Sequence, residues 1–243
     1  MNEMSDGTLL QLHGVCADRG DVRVLRDLTF SMCQETVALF GMNGSGKSTL
    51  LRVLAGLTKG RAGEVIYSGF SVLNKPAYKL ARLGIGFVKQ DSQLFLELSV
   101  QENLALGAYM LPKQHVRKAI EETLDICPIL KDKLSRPAGT LSGGERQILA
   151  LGNVLVRSPK LMLIDEPSAG VSPASMHLLS DVFARLRSRN IPILLAEQHI
   201  SFALGLADRV IVLQAGQIRG VYDAQILRSD PDRLRNMLTG EMI

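Results

Sequence analysis

A chain of 243 residues is long enough for one α/β domain with a substantial core, or for a core plus a small subdomain. Its 46% hydrophobic and 21% charged residues are ordinary globular composition and argue against a disordered chain, and no stretch approaches the roughly 20 apolar residues of a membrane-crossing helix. The net charge of +4 is mild and comes without a lysine or arginine run or an aromatic–basic stripe, so no nucleic-acid partner is expected.

The opening MNEMSDGTLLQL carries acidic residues and no basic, apolar leader, so the chain is expected to stay in the cytosol. Residues 9–13, 24–31 and 36–40 read as strands, with Arg19-Gly20-Asp21 as a turn. A glycine-rich loop and the helix-like KSTLLRVLAGL follow, then strands at 63–68 and 85–88. From Gln90 onward the texture becomes helical. Ser99 and Glu102 form a capping-box pattern opening SVQENLALGAYM, and a second helix over 113–126 stops before Pro128.

Strands return at 160–164 and 191–196, separated by a helix over 173–189 that starts on a proline. That alternation implies parallel pairing, because a crossover helix is how parallel strands connect. A strand pair around Ala215-Gly216 and a helical C-terminus complete the chain. We therefore expect a single domain over 1–243: a mainly parallel α/β core with an antiparallel β region near the N-terminus, interrupted by a helical segment between about residues 91 and 158. Cys16, Cys33 and Cys127 lie apart with no CxxC pair, and are read as buried free thiols rather than a metal or disulfide set.

Gly41-Met42-Asn43-Gly44-Ser45-Gly46-Lys47-Ser48-Thr49 fits GxxxxGK[ST] between a strand and a helix. Glycines let successive backbone N–H groups face one anion, and the helix N-terminus adds its positive dipole end. Lys47 would reach the β- and γ-phosphates, and the Ser48 hydroxyl would ligate Mg²⁺. A glycine-rich turn without a ligand shares the composition but not the strand–loop–helix context.

The apolar LMLI at 161–164 ends in Asp165 and Glu166, at the strand edge where ligands of open α/β sheets gather. Asp165 would hold Mg²⁺, and Glu166 would accept a proton from the attacking water or orient it. Alone, such an acid is more often a helix cap or turn residue; beside a phosphate loop the metal-and-water reading is preferred. Leu141-Ser142-Gly143-Gly144-Glu145 opens another helix, where small residues make either an anion cradle or a flexible start.

Together these stretches resemble the ATP-binding cassette (ABC) family, in the family's order and over nearly the whole chain. GMNGSGKST resembles Walker A, Gln90 the Q-loop glutamine, LSGGE the signature, LMLIDEP Walker B and SAGVS the D-loop. The resemblance implies ATP and Mg²⁺, with Ser48, Gln90 and Asp165 near the metal. It also implies two cassettes, identical or different, paired head to tail so that residues 141–145 serve the partner's nucleotide. The helical segment would meet transmembrane permease subunits.

Three positions depart from the family pattern. Ser172 stands where the D-loop usually closes on aspartate. Counting from Asp208 puts Gln198 in the switch position usually held by histidine, with His199 as the competitor one residue later. Arg19 replaces the aromatic residue expected to stack on adenine, a contact its planar guanidinium can also make. AEQHISFALGLADRVIVLQAG, DEPSAGVSP and LSVQENLALGAY are similar to ATP-binding subunits of branched-chain amino acid and urea importers. That group implies a solute-binding protein and a place on the cytoplasmic face of the cell's inner membrane. The alternatives are a cassette energising export and one working outside transport.

Other phosphate-loop proteins fit less well. Asn74-Lys75-Pro76-Ala77 lacks the aspartate of a GTPase base reader, and a small-molecule kinase has no use for LSGGE. From Gln90 to Leu141 there is room for a compact helical subdomain and no heptad stretch.

Overall fold

The computed structural model describes residues 7–91, 93–230, 232, 234, 236 and 237. Two sheets organise it. A four-stranded antiparallel sheet takes the order β2 (Val22–Met32), β1 (Leu10–Arg19), β4 (Gly60–Tyr67), β5 (Phe70–Ser71). A six-stranded sheet takes the order β10 (Gln217–Asp223), β9 (Arg209–Gln214), β3 (Thr36–Phe40), β8 (Ile193–Glu197), β7 (Leu161–Asp165), β6 (Ile85–Val88), parallel throughout except at its β10 edge.

The sequence explains why the six-stranded sheet lies in the middle. Every residue of β3, β7 and β8 is buried, as their continuous apolar runs require of strands covered on both faces. Alternate side chains serve two cores, following the period of two along a strand. Ala38, Phe40, Met162, Ile164 and Leu195 join one cluster with Leu104, Leu149 and Phe183 of the helices. Val37, Leu39, Leu163, Leu194 and Ile211 join the other with α1 (Lys47–Leu54) and the antiparallel sheet.

The helices between β6 and β7 are α3 (Val100–Gly107), α4 (Lys113–Ile126) and α5 (Gly143–Leu155), with 3₁₀ turns at Pro128–Lys133 and Ala138–Thr140. The expected capping box opens α3: Glu102 N–H donates to Ser99 Oγ at 3.2 Å, and Ser99 N–H donates to Glu102 Oε2 at 2.8 Å. α5 stops at Leu155, short of the expected limit of the helical segment near residue 158. Ser158 adopts φ 49° just before Pro159, a left-handed turn that a helix cannot pass through. β8 begins at Ile193 rather than Ile191, because Pro192 has no N–H to give the ladder.

Further helices among the described residues are α2 (Ala77–Arg82), α6 (Pro173–Ser188), α7 (Ile200–Leu206) and α8 (Ala224–Ser229). Neither α2 nor α7 is among the expected helices, and part of the expected helical C-terminus lies outside the described residues. The three cysteines, expected to be buried free thiols, differ in exposure. Cys127 is buried and its thiol is pushed up to about 12 by desolvation, but Cys16 is half-buried and Cys33 exposed.

Parallel pairing fixes what matters for chemistry. Phe40 lies opposite Glu197, and Asp165 opposite Ala196, so β3, β7 and β8 end together. The chain segments leaving those ends emerge side by side on one edge of the sheet.

Candidate nucleotide-binding site

The loop after β3 wraps into α1 through two glycines with positive φ. Gly44, at +80°, has open space where a Cβ would stand, and Gly46, at +109°, would put a Cβ 2.8 Å from Leu25 Cδ2. The loop thus curls tightly at Gly46 while its outer side stays open. The first turn of α1 contributes N–H groups without intrahelical partners.

Lys47 turns back into this loop, with only 4% of its side chain exposed. Its Nζ donates to Gly41 O at 2.7 Å and lies 3.6 Å from Glu166 Oε1. A buried ammonium needs such partners. Beneath the loop, Ser48 Oγ donates to Asp165 Oδ1 at 2.9 Å. Burial raises the Asp165 carboxyl above its ordinary range; Ser48 pulls the other way, Glu166 adds to the rise, and Lys47 opposes it.

Glu166 follows β7 with φ 45°, a left-handed conformation that costs energy in a residue with a side chain. Its N–H donates to Ala196 O at 2.9 Å, which ties that bend to β8. Gln198 Nε2 donates to Glu166 Oε1 at 2.6 Å and to Asn43 Oδ1 at 2.9 Å. Three loops that follow three different strands therefore meet in one hydrogen-bonded cluster.

The cluster floors a cleft of about 350 Å³. Of the residues singled out in the sequence, Arg19, Asn43, Gly44, Ser45, Gly46, Lys47, Ser48, Thr49, Gln90, Glu166 and Gln198 line it, with Val24. Among the described residues no aromatic side chain does. Arg19 makes no ion pair among the described residues, while neighbouring Asp18 is engaged by Arg23 and Arg61. Gly41 and Met42 lie at the loop's root, and Asp165 beneath Ser48.

His199 stands apart from the cleft lining. Its Nδ1 accepts the Phe202 N–H at 3.1 Å and caps α7, and its ring stands edge-on to Phe202. Leu141, Ser142, Gly143, Gly144 and Glu145 also lie outside the lining. Ser142 caps α5 in a second capping box with Glu145, which pairs with Lys133 at 3.2 Å. A Cβ on Gly143 would stand 3.4 Å from Gly170 O, and one on Gly144 2.6 Å from Ser175 Cβ. This loop thus packs on the segment after Glu166 without reaching its own chain's cleft.

One charged side chain was missed in the sequence. Glu197 ends β8 with 1% exposure and accepts three backbone N–H groups, from Ser168, Gln198 and His199. The available signal was an acid ending the apolar run ILLA, as Asp165 ends LMLI.

The donor set fits Mg²⁺ with a nucleotide. Among the described residues no group of three or more His, Cys, Asp or Glu side chains gathers that could hold a metal ion. Ser48 and Asp165 instead offer two adjacent hard oxygens, the few that Mg²⁺ takes from protein when phosphate and water supply the rest. Ser45 Oγ, buried and without a hydrogen-bond partner, adds an unused polar atom in the loop.

A family profile described as "ABC transporter" matches residues 25–169. The chain is 36% identical over 211 residues to the high-affinity branched-chain amino acid transport ATP-binding protein BraG of Pseudomonas aeruginosa, covering 86% of this chain and 91% of that one. It is 30% identical over 226 residues to the lipopolysaccharide export system ATP-binding protein LptB of Haemophilus influenzae, covering 90% and 92%. The crystal structure of the ADP conformation of MJ1267, an ATP-binding cassette of an ABC transporter, superposes with a TM-score of 0.84 at 27% identity, covering 94% and 97%.

Proposed function

Because the chain belongs to the ABC transporter family and is one of its ATP-binding, ATP-hydrolysing subunits, we propose that it is the motor of an importer for branched-chain amino acids or urea-like solutes. Among the described residues no helix is long and apolar enough to cross a membrane. In this reading the chain sits on the cytoplasmic face of the inner membrane against permease subunits, paired with a second cassette and served by a solute-binding protein. The similarity to BraG supports the solute class. Uptake of labelled leucine and of urea into proteoliposomes carrying the assembled complex tests it. ATP-dependent uptake is expected; ATP-dependent efflux would make this an export cassette.

In the proposed chemistry, Lys47 leaves the Gly41 carbonyl for the terminal phosphates, and the N–H groups of residues 44–48 surround them. Ser48 and Asp165 would hold Mg²⁺, with Gln90 near it; when bound, the ion draws off charge that develops on the phosphate oxygens. Glu166 takes the proton of the attacking water or orients it. Gln198 holds the Glu166 carboxylate while its second amide proton, given to Asn43 in this structure, is available to a phosphate oxygen. Ser142, Gly143 and Gly144 complete the partner's site.

The observation that carries this reading is the Gln198 contact with Glu166 and Asn43, which joins the phosphate loop to the candidate base. Paired substitutions test it. Gln198→Ala is expected to slow ATP turnover about tenfold, the low end for losing a hydrogen bond to a charged group. His199→Ala is expected to keep turnover within about twofold while costing about 1 kcal/mol through the lost helix cap, read as a melting-temperature drop of about 2–4 °C. Loss of turnover at His199 alone would move the switch role to it.

A further inference from the structure

Glu197 carries an inference that rests on the function just proposed. Its position favours an apolar residue: the four before it in β8 are buried and apolar. An acid there must be lifted out of water, which is costly without compensation. None of the ion pairs among the described residues includes it. Compensation comes from main chain instead: Oε1 accepts the Ser168 N–H at 2.9 Å, while Oε2 accepts those of Gln198 at 2.7 Å and His199 at 2.9 Å.

These three amides belong to the two segments that carry the hydrolytic pair. Ser168 lies two residues after Glu166, whose left-handed backbone needs support to persist. Gln198 is the side chain in contact with the Glu166 carboxylate at 2.6 Å. One rigid carboxylate therefore fixes both ends of that contact. The Ser168 segment also runs on through Gly170 and Ser175, which pack on Gly143 and Gly144. Movement of the 141–145 loop, which serves the partner's nucleotide in the proposed function, would reach this chain's own Glu166–Gln198 pair through the joint at Glu197.

We propose that Glu197 is a positioning residue: it holds Glu166 and Gln198 at working distance and links their geometry to the loop that completes the neighbouring site. It touches no substrate and transfers no proton.

The decisive variant is Glu197→Gln in the assembled complex. It keeps the side chain's shape, but its amide nitrogen cannot accept an N–H, so one of the two anchors is lost. We expect ATP affinity by calorimetry to stay within about twofold and kcat to fall about 10–100-fold with KM nearly unchanged, the scale of a small misplacement of reacting groups. The Hill coefficient of turnover against ATP should fall relative to the parent complex, and the Ser168, Gln198 and His199 amides should exchange hydrogen faster while β7 keeps its protection.

A purely structural role would lower the melting temperature yet leave kcat per nucleotide-binding chain at the parent value, and that result overturns the proposal. If the variant does not fold, the parent complex decides. Adding ATP should change exchange at the three amides together, and independent changes overturn the link. Should the parent itself neither bind nor hydrolyse ATP, the failure lies with the proposed function; parent-like turnover by the variant beside an active parent is a failure of this inference alone.

Discussion

Glu166→Gln is expected to keep ATP bound and to slow its hydrolysis at least about a hundredfold, the low end for a lost acid–base group. The amide keeps nearly the carboxylate's shape, so its carbonyl oxygen can still accept the Gln198 Nε2 hydrogen bond now made at 2.6 Å. It cannot take a proton from water. Nucleotide binding should persist because the proposed phosphate contacts lie on residues 44–48. It should tighten slightly, because a negative charge 3.6 Å from Lys47 Nζ has been removed where phosphates gather. Phosphate release measures the rate, and denaturing chromatography of the protein-bound nucleotide should recover ATP rather than ADP. Hydrolysis at the parent rate would mean that another group activates the water.

Lys47→Ala should act on binding itself. In this structure the ammonium is buried, held by the Gly41 carbonyl at 2.7 Å and near Glu166. Its removal takes the one cation from the loop and leaves the Glu166 carboxylate facing incoming phosphates without a counter-charge. Losing a charge-assisted contact worth about 1.5–3 kcal/mol weakens ATP affinity about 10–150-fold. Calorimetric titration measures this, with a melting curve to show that the variant is folded. The split between the two substitutions is informative: Glu166→Gln separates turnover from binding, whereas Lys47→Ala weakens binding itself. Unchanged affinity in a folded Lys47→Ala variant would place the phosphates elsewhere.

The parts of this architecture legible in the sequence are those that local pattern determines. β3 and β6 occur over 36–40 and 85–88 as read, and α4 over Lys113–Ile126, because an unbroken apolar run or a helical period needs no distant information. The Ser99–Glu102 box is equally local. Short elements that depend on tertiary packing were not legible: α7 has seven residues, including Gly205, and relies on the His199 cap and packing of Phe202, Ala203 and Leu204.

The candidate site divides in the same way. The phosphate loop and the Asp165-Glu166 pair are contiguous and can be read directly. Gln198 and His199 are neighbours of similar polarity, and only the twist after β8 sends one amide to Glu166 and turns the other residue into a helix cap. Glu197 was missed because its partners are backbone amides, one of them 29 residues away, and backbone donors leave no mark in side-chain identity. The loop at 141–145 has a visible composition, but the nucleotide it is proposed to serve lies on another chain.

The central claim, that residues 41–49 grip the terminal phosphates of ATP, is tested most directly by titrating ATP with Mg²⁺ into the purified parent chain in a calorimeter. Saturable binding at a single site per chain is expected, with a Kd between about 1 μM and 1 mM. A folded chain that takes up no ATP at several times the upper end of that range, alone and when mixed with its membrane subunits, would contradict it.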